Sequence, residues 1–219
     1  MRRKLERFAI LEQRNNIIQE DKPLFDKIKG KWNALQFKNK NPLTIELACG
    51  RGEYTIGLAL MNKDANFIGI DIKGDRIWDG SNKAVEHELH NVAFLRTYIH
   101  DLEQFFEPNE VSEIWLTFPD PRPRGRDERR RLTYPRFLEI YKTILKPDGW
   151  FKFKTDNTDL FTYTLDVLAE RDDIIALEYT MDLYNSPLLA EHFGIKTRFE
   201  KKFHEVGEDI KYLKFKFLD

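Results

Sequence analysis

Short apolar runs rich in Ile, Val and Phe recur along this chain with helical stretches between them, and no other feature constrains the fold as tightly. Residues 44–49, 66–72, 92–99, 113–118 and 150–155 read as strands, and residues 54–61, 75–89 and 134–145 read as helices. A helix between successive strands lets them run parallel, with helices covering both faces of the sheet. A further helix is expected at 159–169 and strands at 174–183 and 210–218. The last of these alternates, with Tyr212, Lys214, Lys216 and Leu218 on one face and Leu213, Phe215 and Phe217 on the other. These two late strands, joined by a long connection, suit an antiparallel pair at the sheet edge. The expectation is an α/β domain over residues 42–219 with a mostly parallel seven-stranded sheet. Residues 1–41 are rich in charge, end in Lys38-Asn39-Lys40-Asn41-Pro42, and read as an extension with one or two helices.

A chain of 219 residues buries a full core in one domain. Its net charge is only −1, so nucleic-acid binding has to come from a local basic face and not from bulk charge. Cys49 is the only cysteine, which excludes an intramolecular disulfide and a multi-cysteine zinc site. His87 and His90 stand three apart, not at the spacing of a two-histidine zinc helix, and read as surface residues. No metal site is expected. The start, Met1-Arg2-Arg3-Lys4-Leu5-Glu6-Arg7, is basic with no apolar run behind it, and no stretch has the length of a membrane span. The cytoplasm is the expected compartment.

Glu46-Leu47-Ala48-Cys49-Gly50-Arg51-Gly52 leaves a strand and enters a helix, where Gly50 and Gly52 let the backbone pass close to a ligand. Asp71, about 20 residues beyond the loop at the end of the next strand, suits acceptance of two ribose hydroxyls. A dinucleotide or S-adenosylmethionine satisfies that pattern. The loop lacks the Gly-x-Gly-x-x-Gly spacing that seats a pyrophosphate on a helix N-terminus. Glu46 would repel a pyrophosphate and attract the cationic methionine end of S-adenosylmethionine, and Asp101 adds a third carboxylate after the third strand. Three acids with no clustered base favour the cationic cofactor.

The run Phe118-Pro119-Asp120-Pro121-Arg122-Pro123-Arg124-Gly125-Arg126 places one carboxylate between two prolines, which stiffen the backbone around it. Arginines follow through Arg129-Arg130-Arg131, and their forked donors suit phosphate oxygens. Asp127 and Glu128 interrupt that strip, so some arginines have internal partners available. Arg2, Arg3, Lys4 and Arg7 are further candidates for phosphate contact.

With the loop 46–52, Asp71, the pair His100-Asp101, the run 118–133, Lys154-Thr155-Asp156-Asn157 and Thr197-Arg198-Phe199-Glu200, the chain resembles the tRNA (guanine-N7)-methyltransferase family from about Leu43 to its C-terminus. The resemblance implies a Rossmann-like class I S-adenosylmethionine-dependent methyltransferase fold and methylation of N7 of guanine 46 in the tRNA variable loop. It implies that Glu46, Gly50, Gly52, Asp71 and Asp101 bind the cofactor and that Asp120 is the active-site acid. Arg124, Asp156, Thr197, Arg198, Phe199 and Glu200 fall at substrate-binding positions. Three departures stand out: Ala48 replaces the usual first glycine, Arg122 a common Trp, and Arg124 a usual Lys. A monomer and a homodimer both fit.

Two local readings compete with substrate contact. Asp156 in Thr-Asp-Asn also reads as a helix cap, and Thr197 with Glu200 as a capping box. Two other functions also compete. Methylation of another RNA or DNA base would share the cofactor end, although adenine-amine enzymes place two adjacent prolines and an aromatic after the acid. A non-catalytic RNA-binding subunit would have no need to keep three cofactor acids.

Overall fold

The computed structural model describes residues 11–218. Its centre is an eight-stranded sheet in the order β1-β4-β3-β2-β5-β6-β8-β7. The strands are β1 (Ile17–Ile18), β2 (Leu43–Leu47), β3 (Asn66–Ile70), β4 (Val92–Leu95), β5 (Val111–Thr117), β6 (Leu145–Thr155), β7 (Ile174–Thr180) and β8 (Lys211–Phe217). The helices are α1 (Glu53–Met61), α2 (Gly74–Glu86), α3 (Pro135–Ile144), α4 (Thr158–Ala169) and α5 (Arg198–Glu205). Strands β1 to β6 pair in parallel, and β8 runs antiparallel between β6 and β7.

Side-chain alternation sorts the sheet into two cores. Ile45, Leu47, Ile68, Ile70, Ile114, Leu116, Phe151, Phe153, Leu213 and Phe215 share a cluster with the apolar stripes of α3 and α4. Phe67, Phe94, Trp115 and Tyr212 point the other way, against α1 and α2. On this second face β6 and β8 present lysines: Lys152 pairs with Glu113 and Glu191, and Lys214 with Glu178 and Glu191. The connection from β7 to β8 supplies Glu191, so its charges answer those of the sheet.

The strand count differs from expectation by one. Ile17–Ile18, from the N-terminal extension, adds β1 beside β4, and two residues are too few to show a period. The antiparallel strand is β8, one place in from the edge, and β7 is the edge itself. Strand β6 begins earlier than expected, with Pro147, Asp148 and Gly149 accommodated where the register with β5 breaks between Val111 and Glu113. In the extension, residues 11–13 are helical and Trp32–Phe37 forms a π-helical turn. Trp32 is fully buried, donates through Nε1 to the Phe105 carbonyl at 2.8 Å and stacks on Phe106. The basic residues Arg2, Arg3, Lys4 and Arg7 lie outside the described residues.

Candidate active site at the carboxyl edge of the sheet

The chain builds β2, β3 and β4 in one direction across the sheet and then returns to place β5 and β6 on the other side of β2. The reversal between β2 and β5 is where open α/β sheets bind ligands, outside their carboxyl ends. Glu46 sits at that point, almost fully buried. Its Oε1 accepts from Thr117 Oγ1 of β5 at 2.7 Å, and its Oε2 accepts from the Thr55 N–H at 2.8 Å and from the Thr55 hydroxyl. Burial pushes its carboxyl up to about 7, against the pull of these hydrogen bonds and of the Lys154 charge. Glu46 therefore spans the switch point and satisfies an N–H in the first turn of α1.

The loop after β2 turns through left-handed backbone at Ala48 (φ 53°), Gly50 (φ 55°) and Gly52 (φ 65°). The two glycines have different reasons to be glycine. A Cβ at Gly52 would fall 2.6 Å from the Phe94 ring, so its role is close packing. A Cβ on Gly50 would meet nothing within 4 Å, which leaves an open surface over the turn for a ligand. The Gly50 N–H donates to Asp71 Oδ2 at 2.9 Å, and the Lys73 N–H donates to Asp71 Oδ1 at 2.8 Å. Each Asp71 oxygen keeps acceptor capacity, as two ribose hydroxyls require. Asp101, in a 3-10 turn over Ile99–Gln104, is half-buried beside His100 and accepts from Gln104 at 3.1 Å. An open glycine turn next to a carboxylate oriented by backbone N–H groups fits S-adenosylmethionine.

Beyond β5, Phe118 takes a left-handed φ of 48° and sends the chain out to an exposed Asp120. Arg122 holds that carboxylate twice, through its N–H to Oδ1 at 3.2 Å and its Nε to Oδ2 at 3.2 Å. The arginine strip divides. Arg130 pairs with Asp127 at 3.1 Å, and Arg131 lies over the Tyr163 ring at 4.2 Å. Arg124, Arg126 and Arg129 are exposed and make no ion pair with a described residue.

Asp156 is half-buried after β6, and burial raises its carboxyl above the ordinary range. It does not cap α4. Asn157 does, accepting from the Leu160 N–H at 2.8 Å. Thr197 caps α5, accepting from the Glu200 N–H at 3.2 Å. The run from Thr197 to Glu200 then splits between inside and outside. Arg198 and Phe199 are exposed, and the Arg198 N–H donates to Glu53 of α1 at 2.8 Å. Glu200 is completely buried and pairs with Lys154 at 2.9 Å and His192 at 2.5 Å. Those two charges and the hydrogen bonds they make outweigh burial and hold its carboxyl below the usual range.

The sequence assigns no role to Lys154, Tyr54 or His192, although Lys154 opens one of the motifs that carry the resemblance. One signal is available: Lys154, like Lys152, is a lysine alternating with the core residues Phe151 and Phe153 along β6. Tyr54 and His192 had none, because their partners are remote in sequence. The Tyr54 hydroxyl is buried and has no hydrogen-bond partner among the described residues. Among the described residues no cluster of three or more His, Cys, Asp or Glu side chains could hold a metal ion, and no helix is long and apolar enough to cross a membrane.

A family model described as putative methyltransferase matches residues 40–213. The chain is 49% identical over 218 residues to the tRNA (guanine-N(7)-)-methyltransferase of Cytophaga hutchinsonii, covering 99% of this chain and 98% of that protein. The protein of the same name from Christiangramia forsetii is 46% identical, with 97% of each chain covered. That of Bacillus subtilis is 39% identical over 83% of each. Among solved structures, the 16S rRNA methyltransferase KamB has a TM-score of 0.64 at 14% identity, covering 93% of this chain and 99% of that one. At that identity the likeness is one of fold: a class I methyltransferase.

Proposed function

The chain belongs to the tRNA (guanine-N7)-methyltransferase family, and on that premise we propose that it transfers a methyl group from S-adenosylmethionine to N7 of guanine 46 in the tRNA variable loop. One observation supports this reading above the rest. The glycine loop after β2, Asp71 after β3 and Asp120 after β5 lie along a single edge of the parallel sheet, so cofactor-binding and acceptor-binding groups can converge. Bound there, S-adenosylmethionine supplies an electrophilic methyl group on its sulfonium. Asp71 would hold the ribose hydroxyls, Gly50 and Gly52 the approach to the loop, and Glu46 and Asp101 the remainder of the cofactor surface.

Guanine N7 carries an in-plane lone pair and no proton, so no general base is required. The work left to the protein is alignment. Asp120 would accept from the N1–H and exocyclic amine of guanine, whose donors strengthen as the purine gains positive charge. Arg122 holds the Asp120 carboxylate in place while leaving each oxygen a further acceptor site. That arrangement selects guanine over adenine, which offers no N1–H. Arg124, Arg126 and Arg129 would meet tRNA phosphates, and Asp156, Arg198 and Phe199 would complete the RNA surface.

The test is methyl transfer to unmodified tRNA, followed by nucleoside analysis. The expected product is 7-methylguanosine, lost when guanine 46 is replaced by adenine. Methylation of a different base, or persistence of the product after replacement, would overturn the assignment.

A further inference from the structure

Lys154 is an ammonium with no exposed surface, and it touches three walls of the site. Its Nζ lies 2.9 Å from Glu200 Oε2 of α5 and 4.5 Å from the centre of the Tyr54 ring of α1. The Phe118 ring is 5.6 Å away, and the Lys154 carbonyl accepts from the Phe118 N–H at 2.8 Å. Phe118 needs such support, because a left-handed φ is unfavourable for a bulky side chain. It stands two residues before Asp120, so its conformation sets where that carboxylate points.

Glu200 uses its carboxylate inside the protein. Oε2 takes Lys154, while Oε1 takes the Tyr184 hydroxyl at 3.0 Å and His192 Nε2 at 2.5 Å. Arg198 and Phe199, on the same helix, face outward instead. The position that resemblance marks for substrate therefore holds two kinds of residue.

We propose that Lys154 and Glu200 are positioning residues for methyl transfer: their buried pair fastens α5 to the end of β6 beside the Phe118 ring and so aims Asp120, while neither touches substrate. The inference rests on the methyltransferase reading above. Lys154→Met leaves the Glu200 carboxylate with His192 and the Tyr184 hydroxyl, whereas Glu200→Gln leaves the buried Lys154 ammonium without its carboxylate, and the double variant removes that ammonium too. That asymmetry gives the test.

Lys154→Met, Glu200→Gln and the double variant are compared with wild type for kcat at saturating tRNA, tRNA Kd, S-adenosylmethionine Kd and circular dichroism at the assay temperature. In the double variant kcat falls roughly 10- to 100-fold, as expected for a misaimed acceptor site, while tRNA Kd stays within about threefold. The Glu200→Gln single variant is worse than the double. A folded double variant with wild-type kcat would overturn the proposal. So would a Glu200→Gln protein that loses tRNA affinity about tenfold but keeps kcat at saturation, the signature of a direct ligand. Should a single variant fail to fold, the double variant decides the matter alone. Wild-type protein that transfers no methyl to tRNA would sink the underlying functional reading instead, and that result is read before any variant.

Discussion

The Asp71 carboxylate accepts from the Gly50 N–H at 2.9 Å, which ties the turn after β2 to the end of β3. A ligand gripped by that carboxylate also rests against the open side of Gly50. Asp71→Ala removes an acceptor that holds two backbone N–H groups, each hydrogen bond to a charged group being worth about 1.5–3 kcal/mol. Isothermal titration is expected to show S-adenosylmethionine affinity reduced at least about tenfold. Binding of tRNA should change little.

Asp120→Asn converts the acceptor proposed for the guanine edge into a mixed donor and acceptor. Turnover is expected to fall about 100- to 1,000-fold, the scale of losing one oriented electrostatic partner. Cofactor affinity should hold, and so should Tm, because the ion pair to Arg122 is exposed and worth little to stability. Near-normal turnover would remove Asp120 from the reaction.

Arg124, Arg126 and Arg129 are exposed and make no ion pair with a described residue, whereas Arg131 lies over the Tyr163 ring. Replacing the first three with Ala should flatten the dependence of log Kd for tRNA on log salt by roughly one unit per arginine. Arg131→Ala is expected to act mainly on Tm. Salt slopes identical to wild type in the triple variant would exclude the phosphate role.

Glu46 links stability to pH. Burial holds its carboxyl at about 7, above the ordinary 4.5, so the folded state binds the proton more tightly than the unfolded state. Its contribution is therefore full below about pH 4.5 and is lost as pH rises through 7, a change on the order of 3 kcal/mol. Glu46→Gln keeps the shape and removes the titration. Urea melts at pH 5 and pH 8 should show the variant gaining on wild type as pH rises, and a constant difference between them would contradict the buried-acid account.

Trp32 shows that the N-terminal extension belongs to the core. Trp32→Ala empties a fully buried site and strands the Phe105 carbonyl, at a cost of about 3–5 kcal/mol. Thermal melts should register a drop in Tm of roughly 10 °C. A shift of only a degree or two would mean that the extension folds independently of the sheet.

The strands from residue 43 onward and helices α1 to α4 were legible from apolar runs or from a period, as in the alternation of Tyr212, Lys214 and Lys216 against Leu213, Phe215 and Phe217, whereas α5 was marked only by the capping box of Thr197 and Glu200. The glycine loop and Asp71 were legible for a different reason, since their spacing follows from adjacent parallel strands. What stayed hidden depends on tertiary partners. Ile17 and Ile18 form a strand only because β4 offers an edge, and Glu200 faces inward only because Lys154 and His192 wait there. The cap of α4 fell to Asn157 and not Asp156 because a helix start is fixed by backbone geometry one residue more finely than a motif can show.

The short strand β1 has a consequence for how the chain is made. Ile17 lies opposite Phe94, and the N–H groups of Phe94 and Arg96 bond to the carbonyls of Asn16 and Ile18. During synthesis, β1 leaves the ribosome well before β4 and has no partner in the sheet until β4 has been translated and docked. The seam between Ile17 and Phe94 closes a long loop, and contacts of that kind form late and slow folding. The nascent chain thus carries β1 loose while the sheet grows, and seals one margin of the sheet with a segment translated before every other described strand.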